Sequence, residues 1–451
     1  MTLRIYLEMK AVPLTSGTAG HMYLVLRDDG AANLVGDPVH DQVIRGTAPG
    51  EVVGQLTTTL GLLAASKDRY APDETPLSRH SVDITDAIGG VSKWSELQGY
   101  AADISGSFSY ELPGGPHLAN SNAVIFTILA RAGLDIRDLD VNGVKNGGGT
   151  KYVDSFFSFG APGGSSASAT LLANSVDTSA ANLTHDVTIL GRDNVADTFR
   201  DSALNETIYG QQSTNGDSIV DTVNFSDFSS VDLTISKIDF GIKLSSQGTG
   251  TDKLIGIEQI NLTHGADHLR VSTTLLDLPK TIIDVGTQPS EQRDVLDFSA
   301  LTGVTIKQSG DAIFMSNGFL ADTFSNGGVQ FKNFEEVILT SGNDTVDIGT
   351  GVTRLYTGAG NDTVSVSGSG VTVNFGDGND TLKSSGKGDI VKAGKGVDTI
   401  ELSHNGQILI ENANTSDHLT YYGNTLHGGV RWGGSESVYA YGIHGERYGR
   451  N

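Results

Sequence analysis

Two hydrophobic rhythms run along this chain and meet near residue 160. Before that point the apolar residues come in runs. "LRIYLEMKAV" and "HMYLVLRDD" are rich in aliphatic and aromatic residues and predict strands. "SKWSELQGYAADI" and "SNAVIFTILARAGL" predict helices, the second stopped by Gly133. "GAPGGSSASAT" (160–170) is a Gly/Ser-rich linker. Beyond it helical periodicity almost vanishes, and short β-branched runs alternate with Gly, Asn, Asp and Ser turns. The pattern predicts a multidomain chain. An α+β domain occupies 1–159, a linker 160–178 and an all-β parallel solenoid 179–420. A Tyr- and Gly-rich segment, 421–451, would cap the solenoid's open edge.

The second half also repeats. "GIEQINLTHGAD" (256–267) lines up with "NFEEVILTSGND" (333–344), and "DTVNFSDFSSVDLTI" (221–235) with "DVLDFSALTGVTI" (294–306). A finer period follows: Asp344, Asp362, Asp380 and Asp398 are each 18 residues apart. In a parallel coil of 18 residues with two strands and two corners, these aspartates stack at roughly 4.8 Å. The residue two after each is Val346, Val364, Leu382 or Ile400, which alternation turns inward as an apolar ladder.

A column of carboxylates repels itself unless a cation lies between its members. Ca²⁺ suits such a place, because it accepts 6–8 oxygens at about 2.3–2.6 Å in flexible geometry. The candidate ligating corners are Gly342, Asn343 and Asp344; Gly358, Gly360, Asn361 and Asp362; Gly376, Gly378, Asn379 and Asp380; and Gly394, Gly396 and Asp398. Their glycines let the corner turn and present carbonyl oxygens. Gly-Asn-Asp is also ordinary turn chemistry, but four copies at one spacing, with one apolar position in common, ask for more than a turn. Nine residues after Asp344 and Asp362 stand Thr353 and Val371, and only Asp389 restores an acid there, so ions are expected along one edge. "DLDVNG" (138–143) opens like an EF-hand loop, yet its twelfth position is Gly149 rather than Glu, and a polar turn is the better reading.

"GAGNDTV", "GDGNDTL" and "GKGVDTI" resemble the hemolysin-type RTX nonapeptide G-G-x-G-x-D-x-U-x. The resemblance implies a parallel β-roll, bound calcium, and secretion by type I machinery reading a C-terminal signal. It further implies an extracellular or cell-surface location, with surface or matrix components as partners.

Composition narrows the rest. The 451 residues carry 58 Gly, no Cys and a net charge of −23. That charge argues against nucleic acid and anionic membranes and favours cations. Without Cys there are no disulfides, thiolate sites or cysteine nucleophile. No apolar run is long enough for a transmembrane helix, and the first residues lack a secretory apolar run. Export would use a route without an N-terminal signal. The tail ends without the apolar run of a complete export signal, which reads as truncation.

No G-x-S-x-G, H-E-x-x-H or P-loop is present. What remains is His21, opening an apolar strand, and Ser121, opening an apolar helix in "GGPHLANSNAVIFTILARAGL". A hydroxyl at a helix start gains from the dipole and free N–H groups, and an imidazole on a nearby strand can act as its base. Asn120 and Asn122 flank it, His117 lies close by, and Asn33, His40 and Asp83 are candidate third members. Capping by Ser121 or Asn120, and an ordinary strand-end role for His21, are the plain alternatives. The strand-His, helix-"NSN" order is similar to circularly permuted papain-like folds of the NlpC/P60 and lecithin:retinol acyltransferase-like group, with Ser121 in the cysteine place. That implies an amide or ester hydrolase, or an acyltransferase. The competing expectation is a non-enzymatic adhesion, matrix or surface-assembly protein.

Overall fold

In the computed structural model the chain is described over residues 3–11, 20–28, 41–47, 55–62, 80–109, 121–138, 169–173, 178–180, 182–210, 219–246, 248–275, 278, 280–287, 292–316, 328–403, 407–413, 417–421, 427–432 and 436–439. Asn33, His40, His117, Asn120 and most of the 138–149 loop lie outside these residues, as does 160–168 of the linker. Two compact units emerge, one covering Met1–Asp221 and Leu254–Gly256, the other Thr222–Lys253 and Ile257–Asn451. Among the described residues no helix is long and apolar enough to cross a membrane.

In the first unit, alternating apolar residues build an antiparallel sheet. Its strands are β1 (Leu3–Ala11), β2 (Gly20–Asp28), β3 (Gln42–Thr47), β4 (Gln55–Leu62), β5 (His80–Asp83) and β6 (Phe108–Ser109), ordered β5-β1-β2-β3-β4-β6. Helices α1 (Trp94–Ile104) and α2 (Ser121–Arg131) fall where the apolar spacing predicts them. α2 ends because Gly133 takes φ 82° and the Leu134 N–H bonds back to the Leu129 carbonyl, a glycine-stopped helix end. Its apolar side chains from Ala123 to Ala130 are buried, since it lies against β2 and β3 and also against β7 (Ala169–Leu172). The one hydroxyl in that buried run is satisfied twice. Thr127 Oγ1 donates to the Ala123 carbonyl (2.7 Å) and accepts the Leu172 N–H (2.9 Å). Strand pairing is therefore already present at Ala169, inside the stretch whose composition reads as linker. From there β7, Val187–Leu190 and Glu206–Tyr209 pair in parallel.

The second unit is a stack of short parallel strands in two sheets, the architecture of an all-β parallel solenoid. In the 18-residue repeats the register is direct: Val346, Val364, Leu382 and Ile400 stack in one sheet, and Leu355, Val373 and Val391 in the other. All are buried, and each aliphatic side chain so placed contributes roughly 1.5–3 kcal/mol. Lower in the stack Phe298, Phe331 and Phe334 fill the interior edge-to-face, with ring centroids 5.9 and 6.3 Å apart. The coil is interrupted there, because Ala312–Ser316 pairs antiparallel with both Thr305–Ser309 and Val329–Lys332. At the far end His427–Trp432 adds a parallel strand to Gln407–Ala413, and Glu436–Tyr439 folds back antiparallel on it.

Candidate functional site

The corner preceding each strand of the first sheet carries the aspartate column. Its members are connected by backbone-to-carboxylate hydrogen bonds running in one direction. The Asp344 N–H donates to Asp362 Oδ1 (2.8 Å), the Asp362 N–H to Asp380 Oδ1 (2.8 Å), and the Asp380 N–H to Asp398 Oδ1 (2.9 Å). The column extends one step past the repeat visible in sequence: the Asp398 N–H donates to Asp417 Oδ1 (3.0 Å). Asp417 comes 19 residues later rather than 18, and that one-residue slip hides it from a strict period.

The preceding asparagines form a second ladder of opposite polarity. The Asn361 N–H donates to Asn343 Oδ1 (2.8 Å), the Asn379 N–H to Asn361 Oδ1 (2.8 Å), and the Val397 N–H to Asn379 Oδ1 (2.7 Å). Their amide oxygens are thus engaged with backbone. The glycines are set by close approach. A Cβ at Gly360, Gly378 or Gly396 would lie 2.5, 1.7 or 1.7 Å from the carbonyl oxygen of the equivalent residue one coil earlier. At Gly358, Gly376 and Gly394 the figures are 2.0, 1.8 and 2.0 Å. Backbone carbonyls therefore stack along the same corner as the carboxylates.

The carboxylates are not all alike. Asp362, Asp380 and Asp398 are buried, and the Oδ2 atom of each has no hydrogen-bond partner. Burial pushes Asp380 up to about 7, reinforced by the charges of Asp362 and Asp398. Burial and Asp417 push Asp398 up to about 6. Asp362 is also raised by burial. The Thr357 hydroxyl is near enough to oppose this but closes no hydrogen bond. Asp344 differs, because both its oxygens are closed by protein. Oδ1 accepts the Val304 N–H (2.7 Å) and Thr340 Oγ1 (2.9 Å), and Oδ2 accepts the Thr340 N–H (2.9 Å).

On the opposite corner Asp389 is closed too, by the Val371 N–H (3.1 Å) and Ser384 Oγ (2.6 Å). Lower on that side the structure brings together acids that the sequence reading missed. The Asp267 N–H donates to Asp294 Oδ1 (2.7 Å), and the Asp294 N–H to Glu335 Oε2 (2.9 Å). Asp294 Oδ2 has no partner, and burial with its two acidic neighbours raises Asp294 to about 7. Their spacings of 27 and 41 residues conceal the alignment. The aligned segments "GIEQINLTHGAD" and "NFEEVILTSGND" place their strands, Gln259–Asn261 and Glu336–Ile338, in different sheets, so their terminal aspartates lie on opposite corners.

In the first unit, α2 begins beside β2. The Met22 N–H donates to Asn122 Oδ1 (2.8 Å), which sets the residues adjoining His21 and Ser121 against each other. The side chains of His21 and Ser121 themselves lie outside the described residues. Asp83 is opposite Tyr6 on β1, four positions from Lys10, which faces His21. Burial raises the Asp83 pKa, but hydrogen bonds from Thr85 and Arg4 outweigh it and leave the group lowered, engaged away from that place. A buried ion network also sits on this sheet: Arg27 donates to Glu8 Oε1 (2.9 Å) and Asp41 Oδ2 (2.9 Å). Asp135, Asp138 and His185 converge near one point, but Arg137 already holds Asp135 with two nitrogens. No protein-family profile matches the chain, and no curated protein matches it.

Proposed function

We propose that the second unit is a calcium-binding solenoid of the RTX type, acting outside the cell as a secreted or surface protein. The observation that carries this reading is the set of three buried, unpartnered oxygens on Asp362, Asp380 and Asp398, one per coil, beside stacked glycine carbonyls. A buried carboxylate oxygen without a donor or cation is costly, and its surroundings here are oxygen donors with no thiol in the chain. Hard oxygen donors of irregular geometry favour Ca²⁺ over zinc or copper. A bound calcium ion would supply the positive charge that lets neighbouring carboxylates stay ionised. The protein residues that would hold it are Asp362, Asp380 and Asp398, with the carbonyls of Gly358, Gly360, Gly376, Gly378, Gly394 and Gly396. Calorimetric titration of the chelator-stripped chain should show saturable Ca²⁺ uptake that falls in Asp380→Asn. An uptake indifferent to that substitution removes the reading.

A second reading, an amide or ester hydrolase or acyltransferase in the first unit, is favoured by the Asn122–Met22 contact, which sets the helix start on the strand start. In it Ser121 is the nucleophile at the helix N-terminus and His21 its base. A serine-directed fluorophosphonate should label the chain, and labelling should vanish in Ser121→Ala and drop in His21→Ala. Without labelling, the first unit is a binding or assembly domain.

A further inference from the structure

A threonine four residues ahead of a corner carboxylate makes the same small device at two described corners. At Thr340–Asp344 the threonine N–H donates to Asp344 Oδ2, its Oγ1 donates to Oδ1, and the same Oγ1 accepts the Gly342 N–H (2.9 Å). At Thr263–Asp267 the pattern is identical: N–H to Oδ2 (2.8 Å), Oγ1 to Oδ1 (2.6 Å), and the Gly265 N–H to Oγ1 (2.9 Å). Ser384 supplies a partial counterpart for Asp389 from five residues away: its hydroxyl alone donates to Oδ2, with the Gly386 N–H on its Oγ. Where the position four before the aspartate is Gly358, Gly376 or Gly394 instead, Asp362, Asp380 and Asp398 each keep an oxygen without a partner.

We propose that this hydroxyl clasp takes the place of an edge cation. On this account Thr340 shuts Asp344 and Thr263 shuts Asp267, cation loading along the 18-residue column begins at Asp362, and in that column a threonine or a glycine four before the aspartate decides which corner takes an ion. The proposal rests on the calcium reading above and adds to it the rule for where ions stop. The physical ground is donor accounting. Thr340 supplies two donors to a carboxylate that already accepts the Val304 N–H, so no oxygen of Asp344 faces an empty place. The clasp and the glycine column exclude each other. A side chain at Gly358, Gly376 or Gly394 would collide at 2.0, 1.8 or 2.0 Å with the carbonyl of Thr340, Gly358 or Gly376 beneath it. On the corner of the Asp344–Asp398 column a clasp is therefore possible only where the regular 18-residue stack begins, and Thr340 occupies that place. The corners at Asp267 and Asp344, closed by their own threonines, then hold their turns without ions, and Asp344 presents an ordered surface on which the next coil can form.

The test uses the full chain, with Ca²⁺ as the probe. Stoichiometry is measured for wild type, Asp344→Asn, Asp380→Asn, Thr340→Ser and Thr340→Gly, and backbone hydrogen exchange is followed in chelator. Asp344→Asn and Thr340→Ser should bind as wild type does, and Asp380→Asn should bind less. Thr340→Gly should gain about one ion, and the gain should disappear in the Thr340→Gly/Asp344→Asn double variant. In chelator the strands Gln259–Asn261 and His268–Val271, on either side of the Thr263–Asp267 clasp, should stay protected while Thr381–Ser384 and Thr399–Leu402 exchange. Loss of an ion in Asp344→Asn equal to that in Asp380→Asn overturns the clasp and leaves the calcium reading standing. So does exchange that is uniform along the stripped stack. A wild-type chain that takes up no calcium overturns both. Should Thr340→Gly fail to fold, the Asp344→Asn arm and the exchange pattern still decide.

Discussion

Asp380 and Asp389 lie nine residues apart in one coil and are equally buried, each 2% exposed. They end their hydrogen-bond accounts differently. Asp389 has a backbone N–H on one oxygen and the Ser384 hydroxyl on the other. Asp380 has the Asp362 N–H on Oδ1 and nothing on Oδ2, with Asp362 below it and Asp398 above. Burial alone therefore does not mark a cation corner. The mark is an oxygen that the fold buries and leaves without a donor, in a place where stacked carbonyls leave no room for a side chain that could supply one.

The largest expected effect comes from removing calcium. An ion present at about 100 times its Kd adds about 2.7 kcal/mol, so stripping several at once exceeds any single substitution. Chelation should abolish exchange protection in Thr363–Val366, Thr381–Ser384 and Thr399–Leu402, and spare the antiparallel β1–β2 pair. Equal protection of the repeat strands in excess chelator breaks the comparison at its root.

Next come the corner glycines. A Cβ at Gly378 would lie 1.7 Å from the Gly360 carbonyl oxygen, so Gly378→Ala must displace the backbone of two coils. Gly388, beside Asp389, has φ 75° and open space around it. Gly388→Ala should cost only the left-handed backbone penalty, about 1–2 kcal/mol. Denaturant midpoints in calcium should place Gly378→Ala well below Gly388→Ala, and the reverse order would mean that the corners are not packed as described.

The two carboxylates should then differ in sign as well as size. Asp389→Ala leaves the Val371 N–H and the Ser384 hydroxyl without their acceptor. It should cost about 1–3 kcal/mol with or without calcium. Asp380→Asn keeps an oxygen for the Asp362 N–H and removes a buried charge. It should destabilise the calcium-loaded chain and leave the stripped chain unchanged or more stable. Melting in calcium and in chelator, side by side, reads both.

How far the sequence speaks depends on whether spacing survives. Asp344, Asp362, Asp380 and Asp398 were legible because nothing interrupts four coils, and their register is the register of Val346, Val364, Leu382 and Ile400. Both helices were legible from their apolar runs and from Gly133. The alignment of Asp267, Asp294 and Glu335 was not, because the antiparallel strand Ala312–Ser316 and the segments around it stretch the period. Asp417 escaped through one extra residue. The clasp could have been found: Thr-x-Gly-x-Asp occurs at 263–267 and 340–344, against Gly-x-Gly-x-Asp at the three later corners. What composition could not give is the satisfied Thr127, whose partner Leu172 lies 45 residues away.

The smallest expected effect is a pH dependence whose direction changes with calcium. Burial first, and then the charges of Asp362 and Asp398, raise Asp380 from 3.8 to about 7; burial and Asp417 raise Asp398 to about 6. A folded-state pKa above the unfolded one means that the ion-free fold binds more protons than the unfolded chain between those values. The contribution is fully present below pH 3.8 and is lost as pH rises through about 6 to 7. The stripped chain should therefore melt a few degrees higher at pH 5 than at pH 8. Calcium needs the same carboxylates ionised, so the loaded chain should lose stability on acidification over that window. Asp380→Asn should make the stripped profile shallower, because one of the groups that carry the slope is gone while Asp398 and Asp294 remain. A stripped chain whose melting temperature climbs from pH 5 to pH 8 would mean that the oxygens of Asp380 and Asp398 have found donors, and that the two corners of the coil are alike after all.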